Sequence, residues 1–240
     1  VDKDYTVVFT EKEEQILAFI SSLIIDGKRP HELLMLKMML DGKSVAIDSF
    51  AKELVSIGEK FKEADYNSAV RMMSLEFVAG ADAQIELLSK LDLKSGLLKR
   101  SLAFLDKLNN TKFREEISNL LDYGMMRYKD MYANHDENNL VLYGKYSRKD
   151  VCRLMNWDKD ESSTMYGYRI KHGTCPIFVT YEKKDDISES TKYEDQFINQ
   201  KTFSWLTRSN VAIDNRESQE IINYKNSGLK IVLFIKKSDG

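Results

Sequence analysis

The chain has 240 residues, 42% hydrophobic and 31% charged, which suits one large or two modest packed domains and exceeds the apolar content of a disordered tail. No apolar run nears the roughly 20 residues a membrane-spanning helix needs, and residues 1–20 lack the order of a signal peptide, so the expectation is a soluble, cytoplasmic chain. The net charge of −2 is a sum over unlike parts: residues 1–139 carry a net −5 and residues 140–240 a net +3, so phosphate contacts, if any, belong mainly to the second half, and charge alone does not decide between function classes.

The first half reads as successive helices. Thr10 with Glu13 forms a capping box, and Ile16, Leu17, Phe19, Ile20, Leu23 and Ile24 follow at helical spacing, predicting a helix over 11–26 that Gly27 stops. Pro30 suits the first turn of a second helix, which Leu33, Leu34, Leu36, Met38, Met39 and Leu40 make apolar on most sides, so it must be buried. Further helices are expected over 47–63, 67–90 with a break at Gly80, 97–108 and 112–133. Many of the ten methionines fall here, where filling gaps in a helical core is their ordinary use.

The polar stretch Asn134 to Asn139 marks a boundary, giving a helical spacer over 1–135 and a second domain over 136–240. Beyond it, strands are expected at 140–143, 165–170, 176–181, 203–206 and 229–235, with helices at 148–156, capped by Ser147, and at 218–224. The fold class is therefore multi-domain: an all-α domain followed by a small α+β or barrel domain.

The chemistry-bearing residues are sparse in catalytic patterns. Cys152 and Cys175 have no CxxC spacing, and His31, His135 and His172 lie far apart without a nucleophile motif or a metal-ligand partner. Neither a cofactor nor a catalytic centre is predicted. Aromatics interleaved with cations dominate instead, a combination that suits stacking of bases and clamping of phosphates, although aromatics in a small β-domain also fill its core. Alternation in a strand over 165–170 would put Tyr166 and Tyr168 on one side and Arg169 on the other. Trp205 would share a face with Phe203, leaving Arg208 outward. Trp157 fits a loop or the core equally, and Asp195 could accept from a cytosine amino group. The base-contacting set is thus Trp157, Tyr166, Tyr168, Asp195 and Trp205, and the phosphate-contacting set Lys145, Arg148, Arg169, Lys183 and Arg208.

The ordered segments Tyr143 to Asp150, Asn156-Trp157-Asp158, Tyr166 to Arg169, Pro176 to Tyr181, Tyr193 to Phe197 and Phe203 to Ser209 resemble a C-terminal domain of unknown function found on bacterial superfamily 2 helicases that carry a phospholipase-D-like nuclease. They are similar to the SauUSI-type, ATP-dependent type IV restriction endonucleases, whose terminal domain is SRA-like. That resemblance implies an SRA/PUA-like β-barrel reading duplex DNA with methylated or hydroxymethylated cytosine by base flipping. It also implies helicase and nuclease domains of the same polypeptide as partners, with no membrane involved. The rival readings are an RNA-binding barrel and a protein-interaction module coupled to a helicase.

Overall fold

In a computed structural model, residues 8–43, 45–80, 85, 88–92, 97–182, 196–207 and 211–238 are described. The chain divides by packing into two compact units, residues 1–160 and 161–240. The polar stretch at 134–139 lies inside the first unit, and residues 136–160 pack with the helices that precede them.

The first unit holds α1 (Glu11–Leu23), α2 (Pro30–Leu40), α3 (Ile47–Ser56), α4 (Glu63–Met73), α5 (Leu102–Lys107), α6 (Thr111–Arg127) and α7 (Arg148–Leu154). Thr10 accepts from the Glu13 amide and Glu13 accepts from the Thr10 amide, closing the capping box at the start of α1. In α2 all residues but Lys37 are buried, including its His31 and Glu32, as an all-round apolar helix requires. Two expectations fail in this unit. The first half is not all helix, because β1 (Ser89–Asp92), which begins inside the helix expected over 67–90, pairs antiparallel with β2 (Leu97–Arg100), which lies inside the helix expected over 97–108. Short leucine-rich runs satisfy either periodicity, and here Leu98 bridges to Val45 and fixes the extended choice. Residues 140–143 are not a strand either: Asn139 and Tyr143 both take positive φ, at 60° and 64°, which breaks extended geometry.

Gly27 and Gly124 mark the tightest backbone approach in this unit. A Cβ at Gly27 would lie 2.6 Å from the Gly124 carbonyl oxygen, and one at Gly124 would lie 2.6 Å from Leu33 Cδ2. Past this point α6 loosens into a π-helical turn over Tyr128–Tyr132. Tyr128 donates to Glu59, and Glu59 lies 3.1 Å from His135 Nε2, tying that turn to the loop after α3.

His31 is buried with no hydrogen-bond partner on either ring nitrogen. Burial, then the neighbouring Arg29 guanidinium, push its pKa down to about 4, against the pull of Glu32 and Asp65. The folded value lies below the unfolded one, so this contribution is complete above about pH 6.5 and is lost as the pH falls toward 4, by about 3 kcal/mol. Urea midpoints taken at several pH values should therefore drop across that window, and His31→Met should flatten the slope. An unchanged slope in the variant would exclude His31 as its source.

The second unit contains β3 (Thr174–Glu182), β4 (Gln196–Asn199), β5 (Thr202–Ser204), α8 (Arg216–Ile222), α9 (Tyr224–Ser227) and β6 (Lys230–Ser238). β3 and β6 pair in parallel, from Thr174 opposite Lys230 to Glu182 opposite Ser238, and β4 and β5 form an antiparallel hairpin. Alternation along β3 sends Cys175, Ile177 and Val179 into a core with Tyr168 and Leu229, and Ile221, Phe203, Trp205, Ile231 and Leu233 pack around them. On the other face Phe178 stacks on Phe234 at 5.0 Å between centroids. The unit is α+β, and the described strands form no closed barrel.

Candidate functional site

Residues 165–170 do not form the expected strand. Gly167 has φ of +74°, and the Tyr168 amide donates to the Tyr166 carbonyl at 2.9 Å, an i to i+2 turn centred on the glycine. The turn undoes the alternation that would put both tyrosines on one side. Tyr166 is 73% exposed, whereas Tyr168 is 1% exposed in the core. Tyr168 bridges to Ile177 on β3, and the Gly167 carbonyl accepts from the Phe178 amide at 2.7 Å.

Tyr168 and Trp205 are brought together. Their rings meet edge to face at 5.1 Å, the arrangement that aromatic quadrupoles favour, and the Tyr168 hydroxyl donates to Glu217 on α8 at 3.1 Å. Asn215 caps that helix by accepting from the Glu217 amide. Trp205 remains half-buried, with one part of its ring on the core cluster.

The Arg169 guanidinium lies beside this turn. It donates to Glu161, to the Thr164 hydroxyl at 3.3 Å and to the Thr164 carbonyl at 2.9 Å. Lys171 donates to the other oxygen of Glu161. The hydrogen bond from Lys171, with that from Arg169, outweighs the desolvation of the carboxylate and lowers the Glu161 pKa. Two cations on one carboxylate leave the loop with a net positive charge next to an exposed aromatic ring. Glu161 and Glu217 were not legible as site residues, since nothing in their immediate sequence distinguishes them from other surface acids.

Trp157, Lys145 and Arg148 belong to the first unit. Trp157 is fully buried there, its amide donating to the Cys152 carbonyl at 2.9 Å, so it is a core residue with no face open to a base. Lys145 and Arg148 are exposed, the latter at the start of α7. Asp195, Lys183 and Arg208 lie outside the described residues.

The first unit carries a separate buried polar assembly. Glu32, with no side-chain exposure, accepts from Arg29 Nε at 3.1 Å and pairs with Arg153 Nη1 at 3.3 Å. Burial alone would raise the Glu32 pKa, but the charge of Arg29, then that of Arg153, hold it down at about 2. Lys28 donates to Asp150 at 2.6 Å and pairs with Asp26 at 2.9 Å. Asn156 accepts from Arg29 at 3.1 Å and donates to Asp65 at 2.6 Å, and Asp65 also accepts from Asn139 at 3.2 Å. The assembly joins residues 26–32 to residues 139–156 across more than a hundred positions of sequence.

Among the described residues no group of three or more His, Cys, Asp or Glu could hold a metal ion, and no helix is long and apolar enough to cross a membrane. Both cysteines are buried, and they form no disulfide.

Residues 140–240 match the family model of a domain of unknown function, DUF3427. No curated protein matches the chain. Residues 1–131, more than half of the sequence, match the family model of a second domain of unknown function, DUF8090, and the chain belongs to that family.

Proposed function

We propose that the chain is the target-recognition part of a modification-dependent restriction enzyme, in which the second unit reads duplex DNA bearing methylated or hydroxymethylated cytosine and the helical unit serves as a spacer. The observation that carries this reading is the turn at Tyr166 to Lys171, where an exposed aromatic ring sits on a glycine-centred turn beside two cations held by one carboxylate. An exposed ring offers a stacking face to an extruded base, and neighbouring cations suit the flanking phosphates. The half-buried Trp205, braced by Tyr168 and Glu217, supplies a second aromatic surface. The DUF3427 match over 140–240 covers the segments that resemble the terminal domain of helicase-linked type IV enzymes, which supports the same reading. An SRA-like barrel is the architecture it calls for, with helicase and nuclease domains of a longer polypeptide as partners. Bond cleavage would belong to those domains.

The test is a titration of the chain with two duplexes that differ by one 5-methylcytosine. Affinity should fall steeply with salt, because phosphate neutralisation releases counterions. Tyr166→Ala should weaken binding of the modified duplex about 5- to 150-fold, as loss of roughly 1–3 kcal/mol of stacking implies, with little change in melting temperature. Arg169→Ala should weaken both duplexes alike, since phosphate contacts position without specifying. Equal affinity of the native chain for the two duplexes would overturn the proposal.

A further inference from the structure

The two family matches are separated at residues 132–139, yet packing continues through them to residue 160. Residues 140–160, the start of the DUF3427 match, are therefore folded into the helical unit of the other family. Their polar side chains do so in a pattern. Asp150, Arg153 and Asn156 follow one another at three-residue spacing, which lines them along one side of α7 and the turn after it. Each is answered by the first family: Asp150 by Lys28, Arg153 by Glu32 and Asp26, Asn156 by Arg29 and Asp65. The backbone takes part as well, since the Arg153 carbonyl accepts from Ser68 at 3.1 Å and the Asn156 carbonyl accepts from Arg71 at 3.2 Å. Between these positions Val151, Cys152, Leu154 and Met155 are buried, as is Trp157 just after them.

Buried charges bind selectively because a partner that lacks the matching charge leaves its counterpart desolvated and unpaired. Arg29 and Glu32 are at most 1% exposed and pair with each other, so a segment without the row would cost Glu32 its second cation, Arg153, and Arg29 its Asn156 acceptor, both in the interior. We propose that the helical unit of this family is a receptor for a charge-keyed helix, and that its occupant here is the segment 136–160, the acid–base–amide row being the recognition element. The helical unit is then a docking module that holds the start of the DUF3427 region, and the grip does not depend on the peptide connection between them.

The experiment uses the whole chain with a site-specific protease sequence inserted between Ala133 and Asn134, both of which are exposed. After complete cleavage, verified on a denaturing gel, the two pieces should co-elute on gel filtration at low micromolar concentration. Arg153→Met should raise the dissociation constant of the cut pieces roughly a hundredfold or more, as breaking a buried pair implies. If circular dichroism shows that uncut Arg153→Met does not fold, Lys28→Met at the more accessible rim decides instead, with a loss of roughly tenfold expected for one charge-assisted hydrogen bond. Separation of the unsubstituted cut pieces overturns the proposal. So does a folded variant whose pieces associate as tightly as the unsubstituted ones, because the row would then contribute nothing to recognition.

Discussion

Glu32→Ala is expected to destabilise the first unit by about 3–5 kcal/mol, since it leaves Arg29 and Arg153 buried without their shared acceptor. Both guanidiniums lie in the interior, and neither can reach water without opening the contact between α2 and α7. With roughly 2–4 °C per kcal/mol for a chain of this size, the melting temperature should fall by about 6–20 °C. Glu32→Gln keeps the shape and one acceptor oxygen, so its loss should be smaller. A calorimetric scan in which the alanine variant melts within a degree of the native chain would show that the arginines find other acceptors.

Trp157→Ala should have a comparable effect for a different reason. The indole is the largest fully buried side chain in the protein, and truncating it removes its apolar burial and leaves a cavity, at about 3–5 kcal/mol. If Trp157 were a stacking residue of the proposed DNA-binding surface, the variant would keep its melting temperature and lose DNA affinity. As a core residue it should do the reverse: it should melt early, and at a temperature where it stays folded it should bind as the native chain does. Measuring both quantities on one preparation separates the two. Tyr166→Ala is the converse case, with affinity changed and stability kept.

What the sequence made legible was local. The Thr10–Glu13 and Ser147–Asp150 boxes each lie within four residues, so the start of α1 and of α7 could be read directly. The all-round apolar face of α2 predicted its burial for the same reason. Leu97 to Arg100 escaped because four residues carry no usable period, and its extended form depends on Val45, far away in sequence. The reading of Tyr166 and Tyr168 as neighbours on one face failed at a single residue, Gly167, whose positive φ a period-two pattern cannot anticipate. The attachment of residues 139–160 to the helices was the least legible part. Its hydrogen bonds span separations such as the 122 residues from Lys28 to Asp150, and no local pattern encodes them. In the second unit the aromatic and basic composition was plain, but the carboxylates that orient it, Glu161 and Glu217, were visible only once the chain was folded.

The parallel pairing of β3 with β6 has a consequence for how the second unit is made. Thr174 pairs with Lys230, so about 55 residues must be synthesised before the partner strand begins to emerge. At translation rates of about 5–20 residues per second, β3 waits roughly 3–11 s without it. Its sequence, Thr-Cys-Pro-Ile-Phe-Val-Thr-Tyr-Glu, is rich in the β-branched and aromatic residues that favour pairing between chains. Pro176, which removes one ladder donor from that strand, lies where it interrupts such pairing during the wait, and it costs the β3–β6 ladder little because the amides two residues to either side, those of Thr174 and Phe178, are directed at Lys171 and Gly167 and away from β6.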